Sequence, residues 1–162
     1  MKRKKIIKTV FILIGVGILT AGGVVYYMFN MPHRNVQASK TDYLLNAGQL
    51  VAEYLLDPAA ANQKYLDESG ESKILEISGT VASVSEDFND QKVVLLKTPD
   101  NKAGISCTFT HQTNDSLKDI QKGQHITVKG VIRSGAAYDE DLEMYENVIM
   151  EKCDIVLKNT NS

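Results

Sequence analysis

Few side chains in this sequence have types and spacings suited to chemistry. His33, His111 and His125 are its three histidines, and none forms a Ser/His/Asp pattern that would activate a nucleophile. Cys107 and His111 have a C-x3-H spacing, half of a zinc site, but lack a second ligand pair. Asp139, Asp141 and Glu143 reproduce the D-x-D-x-E start of a calcium loop. An EF-hand needs Gly at its sixth place and Glu at its twelfth, and Met144 and Met150 stand there. No catalytic residue, metal site or cofactor follows from these patterns. The expectation is a non-enzyme that binds, with an irregular cation site in the acidic loop as the alternative.

The elements that must position such residues begin with charge. The chain has 162 residues, with 18 Lys and Arg against 20 Asp and Glu. Lys2, Arg3, Lys4, Lys5 and Lys8 fall in the first eight residues. The remainder holds 13 basic groups against all 20 acids, a formal charge of −7. Residues 1–9 therefore read as a basic cytoplasmic tail. Val10 to Phe29 carry no charge, enough for about 30 Å of helix, the thickness of a bilayer core. Basic groups ahead of the span, and Tyr26 and Tyr27 at its far end, predict a single-pass signal-anchor with its N-terminus in the cytoplasm. A cleaved signal peptide is the competing reading, with Val36-Gln37-Ala38 as its site. The first cysteine after the span is Cys107, so no thiol is placed for a lipoprotein anchor. The domain is expected outside a bacterial cytoplasmic membrane, in the periplasm.

Residues 30–40 are polar, contain Pro32 and read as a linker to a domain over 41–158. Ala47, Leu50, Val51, Tyr54 and Leu55 follow a helical stripe, with Asn46 and Gln49 as a variant capping box. Asp57-Pro58 restarts a second helix through Tyr65, expected to end near Gly70. From about residue 74 the period becomes two. Strands are predicted around 75–82, 92–97, 105–110, 126–132 and 145–157, with a short helical stretch at 114–121. Gly79 and Gly130 each interrupt a β-rich run, where glycine marks a bulge, a bend or a close approach. Three strands, a short helix and two strands match the five-stranded oligonucleotide/oligosaccharide-binding (OB) barrel. The fold class is thus mainly β, two short helices leading into a closed barrel behind a transmembrane helix.

The stretches Ala61–Leu66, Ile77–Val81, Gly104–Phe109, Val128–Gly135, Tyr138–Leu142 and Glu151–Asp154 resemble the tRNA_anti-like family, over roughly residues 43–157. That resemblance implies OB-fold domains, mostly from Bacteroidetes and often behind a membrane anchor. It implies no catalytic residue.

OB barrels bind on their second and third strands, between the loops joining strands one to two and four to five. Here that places Phe109 on the face, with Glu86, Asp87, Phe88 and Asp90 on one loop and Tyr138, Asp139, Glu140 and Asp141 on the other. Rings among carboxylates suit a protein or peptide partner of the envelope, while a domain at −7 repels phosphate chains. An envelope cation or small-ligand sensor is the alternative, and single-stranded nucleic acid the least favoured ligand. Cys107 and Cys153 fall on neighbouring strands, and a disulfide between them would close roughly 45 residues and contribute about 4 kcal/mol. The alternative is two buried thiols.

Overall fold

The computed structural model describes residues 2–29 and 35–156, in two units divided after Arg34. The first unit is one helix, α1 (Lys2–Phe29), which takes in both the basic tail and the apolar stretch. Its described side chains, 14–27, are all exposed and account for about 20 Å of helix. Among the described residues no helix is long and apolar enough to cross a membrane. His33 lies outside the described residues.

The second unit opens with β1 (Tyr43–Asn46), α2 (Ala47–Leu56) and α3 (Pro58–Tyr65). Both helix starts follow from single side chains. The Asn46 carboxamide oxygen accepts the Gln49 N–H at 2.8 Å, and the Asp57 carboxylate accepts the Ala60 N–H at 3.0 Å. Pro58 holds the first position of α3, where its missing N–H costs nothing. α3 stops at Tyr65, short of the Gly70 expected. The stripe Ala47, Leu50, Val51 and Tyr54 is buried in the main core with Ala61 and Tyr65. At the junction of the helices Glu53 accepts hydrogen bonds from Lys64 at 2.9 Å and the Tyr65 hydroxyl at 2.7 Å. The Lys64 ammonium also lies over the Tyr65 and Tyr43 rings, 4.7 and 5.3 Å from their centroids.

The barrel strands are β2 (Ile74–Glu86), β3 (Lys92–Leu96), β4 (Ile105–Phe109), β5 (His125–Ser134) and β8 (Val148–Ile155). A 3₁₀ turn at Asn114–Leu117 precedes β5, and a hairpin of β6 (Ala137–Asp139) and β7 (Met144–Glu146) precedes β8. The barrel order is β2-β3-β4-β8-β5, closed by β5 returning to β2. That is the expected five-strand barrel, with Ile77 opposite Val128 where the two glycine-bearing runs meet. The last strand is shorter than expected, because the chain breaks at Asn147. The Asn147 side chain accepts the Gly104 N–H at 2.7 Å and fixes that break. Alternation places Val94, Leu96, Ile105, Cys107, Phe109, Val148 and Met150 in the core.

Gly130 shows why the closure needs a glycine. Between Lys129 and Val131 β5 advances two residues while β8 advances three, from Asp154 to Glu151, so β8 carries the extra residue of a bulge, with Lys152 at φ 53°, and Gly130 lies opposite it. A Cβ there would lie 2.6 Å from the Cys153 Sγ and 3.0 Å from the Glu151 carbonyl oxygen. Gly79 serves a close approach instead: its missing Cβ leaves room for Ala47 and Leu96.

The stretch expected as linker departs from that expectation over its described part, residues 35–40. Val36 is buried with Ile74 and Val131, a second small cluster apart from the main core. The Gln37 amide donates to the Lys152 carbonyl at 2.8 Å, and Lys129 Nζ donates to the carbonyls of Gln37 and Ser39 at 3.1 and 2.6 Å. Next, Asp42 exchanges two 2.8 Å hydrogen bonds with Ile74, and β1 pairs in parallel with β2 over Leu75–Ser78. Of the polar side chains in this stretch, Gln37 thus bonds distant backbone, while Asn35 and Ser39 bond within the segment.

Gly130→Ala should lower stability by about 1–3 kcal/mol through overpacking, read as a lower urea midpoint. Adding Cys153→Ala should recover part of that loss, and full additivity of the two changes would refute the contact.

A pH prediction comes from Glu53, whose carboxyl is held below its ordinary range by the Lys64 hydrogen bond first and the Tyr65 hydroxyl second. A depressed folded value adds stability above the ordinary glutamate range, lost as pH falls through the folded value. Thermal melts across that acidic window should show a steeper decline for the wild type than for Glu53→Gln.

Candidate functional site

β3 and β4 position the face on which OB barrels usually bind. Their pairing sets Val93 opposite Thr108 and Leu95 opposite Ser106, and Ser106 in turn opposite Ile149 of β8. These outward residues are partly buried, except exposed Ile149. Phe109, expected on this face, is fully buried in the core. On β4 the inward set is Ile105, Cys107 and Phe109, so the strand's alternation turns Phe109 away from solvent. The face therefore offers small and aliphatic side chains, with no ring for a base to stack on among these pairs.

The β2–β3 loop shows which of its expected residues are exposed. Asp87 accepts hydrogen bonds from the backbone N–H groups of Asn89 and Gln91 at 2.8 and 2.9 Å, so it builds the turn. Asp90 takes the left-handed conformation (φ 57°), and its carbonyl accepts from the Asn114 side chain at 2.9 Å. Phe88 is fully exposed at the tip, and Glu86 and Asp90 are exposed beside it.

The β6–β7 hairpin repeats this division. Asp139 accepts the N–H groups of Asp141 and Leu142, both at 2.9 Å, and so shapes its own loop. Glu140, Asp141 and Glu143 are exposed. The Tyr138 and Tyr145 rings pack 4.8 Å apart, and Lys102 Nζ sits 5.4 Å from the Tyr145 centroid. Tyr138 is 50% exposed, Leu142 66% and Met144 52%. The hairpin is thus an acidic loop carrying an apolar surface, supported on a packed tyrosine pair. Leu142, Met144 and Tyr145 were not among the candidate binding residues, because the stretch before residue 145 was expected to be a loop and not a hairpin.

The cysteine pair is corrected. Cys107 and Cys153 are both buried free thiols, not a disulfide. The β4–β8 register places Cys107 opposite Met150 and Cys153 opposite Phe109, with a shift between, so the two cysteines are not cross-strand partners. Cys153 leans instead into the space above Gly130. Burial, and then its hydrogen bond with Cys107, pushes the Cys153 thiol well above its ordinary value. His111 is exposed at the turn after β4 while Cys107 points inward, so the C-x3-H spacing brings no ligands together. Among the described residues no group of three His, Cys, Asp or Glu side chains could hold a metal ion.

One concave region was not anticipated. Beside the first turn of α2 lies a cleft of about 250 Å³, lined among others by Gly48, Ser78, Thr80, Lys97 and His125. A second hollow of about 370 Å³ adjoins it through Thr80, Lys97 and Thr98, and adds Val81, Pro99 and Lys122. Its walls come from the α2 start, mid-β2, the β3–β4 turn and the approach to β5, segments with no common sequence signal.

A model of the tRNA_anti-like family matches residues 1–140. No curated protein matches the sequence. Among solved structures, similarity extends to a protein described as a "putative nucleic acid-binding lipoprotein" from Klebsiella pneumoniae, 14% identical with a TM-score of 0.52, covering 78% of this chain and 100% of that one. At that identity the likeness is one of fold. The OBody NL8, solved bound to hen egg-white lysozyme, is 15% identical with a TM-score of 0.36, over 54% of this chain and 99% of its own. A "putative aspartyl-tRNA synthetase" from Leishmania major is 11% identical with a TM-score of 0.40, over 87% of this chain and 26% of its own.

Native protein should leave both thiols unreactive toward a disulfide reagent, and denaturation without reductant should release two per chain. Release of none would mean that the bridge forms.

Proposed function

The chain belongs to the tRNA_anti-like family, and from that premise we propose a non-enzymatic binding module that recognises a protein or peptide through the β6–β7 hairpin. The observation that carries this reading is the exposed Tyr138, Leu142 and Met144 among Glu140, Asp141 and Glu143. Aromatic and methionine side chains dominate the buried centres of protein interfaces, and the carboxylates favour a partner with basic groups at its rim. The same charges disfavour a phosphate backbone, and the β3–β4 face supplies no stacking ring in its outward pairs.

The reading includes a location. Residues 10–29 form the anchor of a single-pass protein, with five basic residues on the cytoplasmic side and the barrel beyond the membrane. The uncharged run and the helical state of α1 support it. An apolar and acidic hairpin is then presented to the envelope, where peptide segments and other membrane proteins are the available partners.

Crosslinking of the full chain in native membranes, with mass spectrometric identification, should recover a recurrent protein partner. Glu140→Lys with Asp141→Lys should weaken that capture on the order of ten-fold, through charge reversal at the rim. Undiminished capture by the double variant would overturn the hairpin reading. Tight, salt-sensitive retention of single-stranded RNA at low salt would replace it with a nucleic-acid function.

A further inference from the structure

Outside the hairpin, the polar cleft beside α2 has a chemistry of its own. In a sequence whose remainder after the basic tail carries −7, neither of its two adjoining hollows is lined by an Asp or Glu. Instead Lys97 lines both, with His125 in the first and Lys122 in the second. Ser78, Thr80 and Thr98 add hydroxyls, and Asn101 an amide. Gly48 lies at the second position of α2, where helix geometry leaves the backbone N–H without an intrahelical acceptor.

The Lys97 side chain and the backbone beside Lys122 are held in place. Lys97 Nζ donates to the Lys102 carbonyl at 3.1 Å, which spends one of its three hydrogens and orients the rest. The turn bearing Lys122 is fastened to β2 on both sides: Gly123 N–H donates to the Val81 carbonyl at 2.8 Å, and Val81 N–H donates to the Gln124 carbonyl at 2.9 Å. Gly123 has φ 89°, the left-handed geometry that suits glycine at such a turn. The larger hollow is walled on its other side by Val81, Ala82 and Pro99. A charged end therefore adjoins an apolar one.

We propose that this cleft binds a small phosphate monoester, its phosphate between Lys97, Lys122 and His125 and its organic group against Val81, Ala82 and Pro99. Two ammonium groups, hydroxyl donors and a helix N-terminus suit a dianion better than a single carboxylate. The site is independent of the hairpin, so the two assignments stand or fall separately.

The test uses the full chain in detergent micelles at fixed ionic strength, because exposed charges are screened by salt. Inorganic phosphate and butyl phosphate are titrated separately, and the amide resonances of Gly48, Gly79 and Gly123 are followed. Saturable shifts are expected with both probes, butyl phosphate binding several-fold tighter through the apolar wall. Lys97→Gln with Lys122→Gln should weaken binding at least ten-fold, and Lys118→Gln, outside the cleft, should leave it unchanged. Equal affinity for the two probes would overturn the placement of the organic group. Absent saturation, or equal weakening by Lys118→Gln, would overturn the site.

Discussion

The closure of β5 onto β8 is the constraint on which the rest of the structure depends. Five strands make a barrel only if one seam accommodates the accumulated twist, and here the β8 bulge opposite Gly130 does so. The Cys153 sulfur occupies the room that a side chain at 130 would need. With that seam closed, Met150, Phe109 and Ile132 share one core, and the β6–β7 hairpin emerges between two fixed strand ends. The hairpin and the β2–β3 loop can then vary in chemistry without disturbing the core.

Where the sequence carries local physics, the structure is legible in advance. Asn46 and Asp57 cap because their short side chains reach an N–H three residues on, and nothing distant is required. Gly79 and Gly130 are legible as interruptions of β-rich runs for the same reason. Tyr43–Asn46 is not legible as a strand, since it flows directly into the helical stripe. Its strand character comes from parallel pairing to residues some thirty positions away. Phe109 was misplaced because a five-residue alternation fixes two faces without saying which one is inside. The cleft lay beyond sequence reasoning altogether, as its lining is assembled from separate segments by the barrel.

Carboxylates in this domain are not one population. Asp87 and Asp139 accept backbone N–H groups and shape turns, and Glu53 joins α2 to α3. Others, such as Glu140 and Asp141, stand in solvent and set the field that a partner meets. The formal charge of the domain therefore does not say where that field falls. It also conceals the lining of the α2 cleft, where cations gather without acids.

Residues 35–46 have a mechanical consequence. Any pull arriving from the N-terminal side reaches Val36, Gln37, Asp42 and the β1–β2 ladder before it reaches a barrel strand. The segment is a strain relief: a load on residue 35 would be met there while the barrel keeps its shape.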